Sequence, residues 1–427
     1  MRTGEARALL CSLHKAAFSR GRVDAVKIAL PAHTQLRRGP QFKTLPPLSL
    51  YIHVPWCVRK CPYCDFNSHE ARGDIPEDRY IRALISDLDQ ALPLIWGRRV
   101  YTLFFGGGTP SLLSAAAIET VLSAVRARVP LAIDAEITLE ANPGTFEAAK
   151  FAAYRAAGVN RLSIGIQSFN ARHLKALGRI HDDEQARRAV EIARGNFDNF
   201  NLDLMYALPG QMHAEAKADI GAALAWEPPH LSVYHLTLEP NTYFHRHPPA
   251  VPDDDAAAEM QDSIATTLSE AGYDHYETSA YARPGLRARH NLNYWTFGDY
   301  LGIGAGAHTK LSFPDRVVRQ ARFRQPREYM EHALAGSALQ TEHPVAADDI
   351  AFEFMMNALR LNQGFRVSLF EERTGLPLVS VLPALNEAEG RGLIERDHER
   401  IAPTPLGRRF LNDVLQIFLP EGPRPAH

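Results

Sequence analysis

The sequence predicts an α/β fold built from parallel βα units, with a small winged-helix-like α+β module behind it. Three observations predict it. Short apolar segments rich in β-formers alternate with helical stretches from residue 48 to residue 236. Polar or glycine-rich segments recur directly after those strands: the cysteine loop at 57–64, Gly106–Ser111, Glu140–Gly144, Gln167–Phe169 and Leu208–Gln211. From about Asp348 the pattern changes to helices and a hairpin. Loops at the C-terminal ends of parallel strands converge on one mouth in α/β barrels, so these five segments are expected to share a site.

Leu48–Val54 reads as a strand that delivers the chain to the cysteines. Pro76–Leu92 has helical spacing, with Tyr80, Ile81, Leu84, Ile85, Leu88 and Leu92 on one face. Val100–Phe105 is a strand, 114–128 a helix, and Glu136–Glu140 a strand closed by the turn Asn142-Pro143-Gly144. Phe146–Ala157 is a helix that Gly158 ends. Strands Arg161–Ile166, Asn199–Met205 and His230–Leu236 follow, with helix Asp183–Arg194 between the first two. Farther on, helices are expected at Asp348–Leu361, Val367–Thr374, Val379–Gly390 and Pro405–Phe418, and short strands at Leu393–Arg396 and Arg400–Ala402. Helix 379–390 carries Asn386, Glu387 and Glu389 rather than the basic face of a DNA-reading helix, so no nucleic-acid partner is expected. Three parts result: a basic, disordered extension at 1–45, a barrel domain at 46–340 and the small module at 345–420.

Apolar content of 45%, charged content of 22% and a net charge of −2 over 427 residues are those of an ordinary globular chain. They exclude a global pull toward nucleic acid or an anionic membrane. No apolar run is long enough to span a bilayer, and no hydrophobic signal-peptide core is present. Few cysteines, grouped together, indicate a reducing compartment, the cytoplasm. The extension carries Arg2, Arg7, Lys15, Arg20, Arg22, Lys27, Arg37, Arg38 and Lys43 against only Glu5 and Asp24. It reads as a disordered tail, a start codon chosen too far upstream, or a transit peptide that would lead to an organellar matrix.

Three of the four cysteines, Cys57, Cys61 and Cys64, form a C-x3-C-x2-C run, and Cys11 lies far upstream. A structural zinc site usually needs a second closely spaced ligand pair, and a disulfide framework needs an even, dispersed set. Three thiolates on one tight loop suit an iron–sulfur cluster, because soft sulfur matches iron. Gly106-Gly107-Gly108-Thr109-Pro110 follows a strand, where glycines let the backbone approach a ligand and helix-start N–H groups attract a carboxylate. Glu140 and Gln167 end strands; taken alone, each of Glu140, Gln167, Arg179 and Asp203 is more often structural, with a salt bridge for Arg179 and a cap for Asp203.

The cysteine run, with Tyr63 before the last cysteine, resembles the radical S-adenosylmethionine (SAM) signature. That resemblance implies a partial (β/α)6 barrel and a 4Fe–4S cluster on Cys57, Cys61 and Cys64, with SAM chelating the fourth iron. Gly107, Gly108 and Thr109 resemble the family's motif for the SAM amino group. Glu140, Gln167, Arg179 and Asp203 match, in order, SAM-contacting positions of the coproporphyrinogen dehydrogenase-like branch. Tyr51 matches an aromatic position on the substrate or SAM side. The match runs from about Tyr51 to His308.

Within the branch, the run His290-Asn291-Leu292-Asn293-Tyr294-Trp295 resembles the H-N-x-x-Y-W mark of HemW-type haem chaperones. Imidazole is a common haem iron ligand, and Tyr294 and Trp295 offer flat apolar surface with a polar edge. The plain alternative makes His290 a satisfied loop histidine and the two aromatics core. Phe66 stands where the decarboxylating oxidase has a further cysteine, and the basic extension does not resemble that enzyme's long leading segment. Ala305 stands where family members often show cysteine, against thiol-based haem attachment. The resemblance implies haem as cargo and an acceptor haemoprotein such as a respiratory or nitrate-reducing enzyme, reached by transient contact with a membrane protein. It further implies a flavodoxin-like electron donor where SAM is cleaved, and a cluster-dependent homodimer. The alternative is oxygen-independent oxidation of coproporphyrinogen III.

Overall fold

The computed structural model describes residues 39–145 and 148–420. The basic leading segment up to residue 38, Cys11 included, lies outside the described residues, as do Phe146 and Glu147 at the expected start of a helix.

Six strands pair in chain order, all parallel: β1 (Leu48–Val54), β2 (Val100–Gly107), β3 (Leu131–Ala141), β4 (Arg161–Gln167), β5 (Phe200–Tyr206) and β6 (His230–His235). Helices Glu77–Ala91, Ala115–Arg128, Ala148–Ala157, Asp183–Asn196 and His213–Leu224 make the crossovers. Their ends follow local chemistry. Ser114 Oγ accepts from the Ala117 N–H at 3.1 Å, and Asp182 with Gln185 forms a reciprocal capping box.

The sheet extends beyond this unit on both sides. β7 (Asp274–Glu277) and β8 (Ala280–Ala282) add antiparallel next to β6. β9 (Asp299–Ile303) pairs parallel with β1, and β10 (His308–Phe313), β11 (Arg316–Arg322) and β12 (Leu339–Pro344) continue antiparallel. Helix Asp254–Glu270 packs beside the sheet end.

Strand alternation divides the unit into two buried layers. Leu50, Ile52, Leu103, Phe105, Leu139, Ile164 and Leu202 face the helices and form the main apolar core. The alternate residues, among them Ser49, Thr102, Glu136, Arg161, Ser163, Asn201, His230 and Ser232, are buried too, although polar. Several of them pair with one another: Ser49 with Thr102 at 2.7 Å, Asn201 Nδ2 to Ser163 at 2.8 Å, His230 Nδ1 with Asn201 at 2.6 Å. The barrel interior is therefore a hydrogen-bonded polar core.

The C-terminal part has its own core, of Ile350, Phe354, Leu369, Phe370, Leu385, Ile401 and Val414. Phe297 and Val317 join it from the sheet side, with Phe297 edge-on to Phe354 at 5.8 Å. Two expected helices differ. Residues 378–381 are a 3-10 turn and the helix proper is Leu382–Gly390, with Pro383, which lacks an N–H, in its first turn. The expected helix at 405–418 breaks at Phe410 into Pro405–Arg409 and Leu411–Ile417. Among the described residues no helix is long and apolar enough to cross a membrane.

A buried ion pair locks the first helix to the last long strand. Asp87 accepts from Arg322 Nε at 3.2 Å, the Tyr329 hydroxyl at 2.9 Å and the Gly304 N–H at 3.1 Å, with both charges buried. Removing one partner strands the other charge in the core, so Arg322→Met should lower stability by about 3–5 kcal/mol in a denaturant titration. A loss under about 1 kcal/mol would show that Asp87 finds compensation elsewhere.

Candidate functional site

A cavity of about 470 Å³ opens at the C-terminal ends of the parallel strands. Its walls include Cys57, Cys61, Tyr63, Cys64, Gly107, Gly108, Thr109, Glu140, Gln167, Arg179 and Asp203, which the sequence scatters over 147 positions. Tyr51, His290, Asn291, Tyr294 and Trp295 are not among its walls.

The cysteine loop leaves β1 and is fastened to the glycine loop after β2. Gly108 N–H donates to Val54 O at 2.8 Å and Thr109 N–H to Trp56 O at 2.7 Å. Gly107 N–H donates to Glu140 Oε2 at 3.1 Å. These N–H groups are thus engaged within the protein, which corrects the expectation that they stand ready for a carboxylate. What the glycines supply is closeness. A Cβ on Gly108 would lie 2.5 Å from Trp56 O, and one on Gly107, at φ +113°, would strike the His53 ring.

The three cysteines are half-buried and none is disulfide-bonded. Burial raises the Cys57 and Cys64 thiols above their ordinary value. Arg179 reaches the loop from the segment after β4. Its Nη1 donates to Cys61 Sγ at 3.5 Å, and its Nη2 to Gly165 O at 2.8 Å and to Asn142 Oδ1. Among the described residues no three His, Cys, Asp or Glu side chains converge as a single metal ion requires. A polynuclear cluster takes one thiolate per iron and spreads its ligands wider, so the donor set fits a cluster better than a zinc ion.

Two carboxyls sit deeper. Asp203 accepts from Asn201 Nδ2 at 2.8 Å and Ser163 Oγ at 3.0 Å. Glu140 is pushed up to about 8 by burial and by the nearby Asp203, against the pull of the Gly107 N–H. Gln167 closes β4 in the left-handed region at φ 68°, a strained conformation for a residue with a Cβ.

The H-N-x-x-Y-W segment is the helix Arg289–Trp295, and it lies against β1, β2 and β9. Its first N–H groups, of Arg289 and His290, donate to the Glu136 carboxylate at 3.0 and 2.9 Å. His290 is 2% exposed, with Nδ1 2.8 Å from Thr102 Oγ1 and Nε2 3.1 Å from the Tyr294 hydroxyl. Burial, then the charge of Arg161, lowers it to about 3, so the imidazole is neutral. Tyr294 packs edge-on to Tyr300 at 4.7 Å, and Trp295 lies under the Arg360 guanidinium at 4.5 Å. Asn291 is half-buried on the same helix. The geometry therefore matches the plain alternative for His290, a histidine with both ring nitrogens engaged. Tyr51 belongs to the same aromatic column: its hydroxyl is 3.1 Å from His53 Nδ1 and its ring stacks on Phe104 at 6.2 Å.

Further cavity residues carry no motif. Ser68, Asn142, Ser163, Tyr234, His235, Thr237 and Glu239 are among them. Tyr234 and His235 end a strand that was legible, and the strand-end rule marks such residues.

Comparison with known proteins follows the same outline. Residues 51–221 match the radical SAM superfamily and residues 345–410 the HemN C-terminal domain. The chain is 52% identical to heme chaperone HemW of Escherichia coli (strain K12) over 379 residues, 88% of this chain and 99% of that protein. It is 46% identical to heme chaperone HemW of Haemophilus influenzae over 88% of this chain and 99% of that one. The solved structure of coproporphyrinogen III oxidase (HemN) from Escherichia coli, described as a radical SAM enzyme, superposes with a TM-score of 0.74 at 25% identity, covering 88% of this chain and 90% of that one.

Two outcomes are expected. The folded protein keeps the Glu140 proton up to about pH 8 while the unfolded chain loses it near 4.5, so ionisation favours unfolding progressively across that window. Glu140→Gln should therefore gain melting temperature relative to the unsubstituted apoprotein as pH rises from about 5 to 8. Parallel melting profiles would contradict a raised Glu140. His290→Ala leaves the buried Tyr294 hydroxyl without its imidazole partner and should cost about 2 kcal/mol in chemical denaturation, whereas no cost would mean that the helix is held without it.

Proposed function

We propose that this chain, which belongs to the family of heme chaperones named HemW, binds haem and passes it to an acceptor haemoprotein. The observation that carries the reading is the single cavity that joins the C-x3-C-x2-C loop to Gly107, Gly108, Glu140, Gln167, Arg179 and Asp203. Cys57, Cys61 and Cys64 would hold a 4Fe–4S cluster, with SAM at the iron that lacks a protein thiolate. When bound, the pair supplies one-electron chemistry or a signal of readiness to dock.

The chain's own residues then have distinct tasks. Arg179 positions Cys61 and offsets thiolate charge. Glu140, raised by burial and by Asp203, would be favoured as a carboxylate by a cationic group such as an ammonium beside it. Asp203, fixed by Asn201 and Ser163, offers oxygen to ribose hydroxyls or an amine. Gln167 and Tyr63 border the same space. Tyr51, His290, Asn291, Tyr294 and Trp295 shape the barrel interior beside it.

The proposal extends to a respiratory or nitrate-reducing acceptor reached through transient contact with a membrane protein, and to the cytoplasm as the compartment. It includes a flavodoxin-like donor where SAM is cleaved, and a homodimer that depends on the cluster. The second reading, coproporphyrinogen III oxidation, shares the fold. Against it stands Phe66, 59% exposed at the cavity wall where the oxidase carries a further cysteine.

Anaerobic reconstitution tests the assignment. Cys57→Ala, Cys61→Ala and Cys64→Ala should each abolish the cluster's visible absorption and leave the circular dichroism of the fold intact. Haem titrated into the reconstituted protein should give a stoichiometric Soret band, and coproporphyrinogen with SAM and a reductant should yield no vinyl product. Vinyl product with weak haem binding would identify a porphyrin-making enzyme instead.

A further inference from the structure

We propose that the cavity at the N-terminal ends of β1 and β2, lined by Arg98, Arg99 and Arg373, binds the phosphate group of a small ring-bearing molecule. The inference stands apart from the haem-carrying role. The cavity measures about 390 Å³ and lies at the opposite end of the parallel strands from the cysteine loop. Its walls come from three places in the chain. Residues 44–48 lead into β1, Arg98, Arg99 and Tyr101 lie at the start of β2, and Glu372 and Arg373 belong to the helix Val367–Thr374 of the C-terminal module. Backbone hydrogen bonds pin these pieces together. Gln41 N–H donates to Gly375 O at 2.8 Å, and Asp299 N–H to Pro47 O at 2.9 Å. The space is therefore built by the fold, and it is large enough for a small molecule rather than a bare ion.

Cations outnumber carboxylates at this cavity. Arg98 is held in place by Asp299 Oδ2 at 2.8 Å and by donation from its Nη2 to Pro46 O at 2.6 Å. Asp299 is shared with Lys310 at 3.1 Å, and Glu372 pairs with Arg366 at 3.5 Å, so each carboxylate already faces a cation. Arg373 Nε is buried without a hydrogen-bond partner among the described residues, and Arg99 is exposed on the same cavity. Burial lowers the Arg373 guanidinium from its ordinary value, and the fields of Glu372 and Asp299 do not make up the loss. A buried donor without an acceptor is costly until an anion reaches it. A guanidinium fork matches two oxygens of a phosphate at once, and this cavity presents three guanidiniums. Tyr101, 42% exposed, adds a flat ring on which the organic part can stack. An anion held by Arg98 and Arg373 together touches both the barrel and the C-terminal module.

The test is a calorimetric titration of the full chain, its cluster reconstituted anaerobically, with inorganic phosphate, phenyl phosphate and phenol. Both phosphates should bind, phenyl phosphate roughly two- to tenfold more tightly, and phenol should not. Arg373→Met should weaken both by roughly tenfold or more. Arg373→Lys, which keeps the charge but not the fork, should recover only part of that loss. Should Arg373→Met fail to fold, Arg99→Ala, at an exposed position, must show the loss instead. Tyr101→Ser should remove the advantage of phenyl phosphate and leave inorganic phosphate unchanged. Because the anion bridges barrel and module, phosphate should raise the melting temperature of the unsubstituted protein and not that of Arg373→Met. Equal affinity for the two phosphates would support a site for free phosphate and overturn the part given to the ring. No binding of either phosphate, or binding that the arginine variants leave unchanged, would overturn the site.

Discussion

The guanidinium of Arg179 is the junction on which the site depends. Half-buried at the cavity wall, it holds Gly165 O near the end of β4, Asn142 after β3 and Cys61 Sγ on the cysteine loop. Of these three anchors Gly165 is fixed by the sheet, whereas Asn142 and Cys61 lie outside the strands. A planar donor set satisfies three acceptors in fixed directions at once, which a lysine ammonium on a flexible stem would not. Its charge also opposes the cost of ionising the cysteines: burial raises the Cys57 thiol, and Arg179 is among the groups that pull it back. The same side chain thus sets the geometry of the loop and the electrostatics of its sulfurs.

Around that junction the barrel has two parts with different rules. The mouth is open and partly strained, with Gln167 in a left-handed conformation and glycines pressed against the backbone of the cysteine loop. The interior below is closed by mutual hydrogen bonds and by the helix Arg289–Trp295, whose start is held by Glu136. The segment just after that helix reaches the C-terminal core through Phe297 against Phe354, and Trp295 of the helix lies under Arg360. Buried Asp299 fastens the adjoining strand, accepting from Lys310 at 3.1 Å and forming an ion pair with Arg98 at 2.8 Å. A change in the packing of Tyr51, Phe104 and His290 therefore has a continuous path of contacts to the C-terminal module.

Much of this was legible in the sequence. The parallel strands announce themselves because each is short, rich in β-formers and followed by glycine or polar residues, and the cavity residues named from motifs lie at those strand ends. The antiparallel strands from 299 to 344 were not legible, because β10 to β12 carry charges such as Lys310, Arg319 and Arg322 whose pairing is invisible before folding. Helix Asp254–Glu270 was not legible, although Ala257, Met260, Ile264 and Leu268 recur at helical spacing, because the large apolar residues on that face are few. The surroundings of the H-N-x-x-Y-W run were hidden in the sequence for a related reason. An imidazole looks the same in sequence whether it faces a cavity or a threonine, and only the register of β2, which brings Thr102 to His290, decides.

The most direct test of the account is transfer itself. The haem-loaded, cluster-containing protein is mixed anaerobically with an apo-haemoprotein acceptor, and in parallel with an excess of apo-globin that captures free haem. The account predicts that the acceptor gains its own Soret spectrum faster than the globin trap removes haem, because delivery occurs by contact. Equal rates in the two mixtures would show release into solution and contradict a chaperone role.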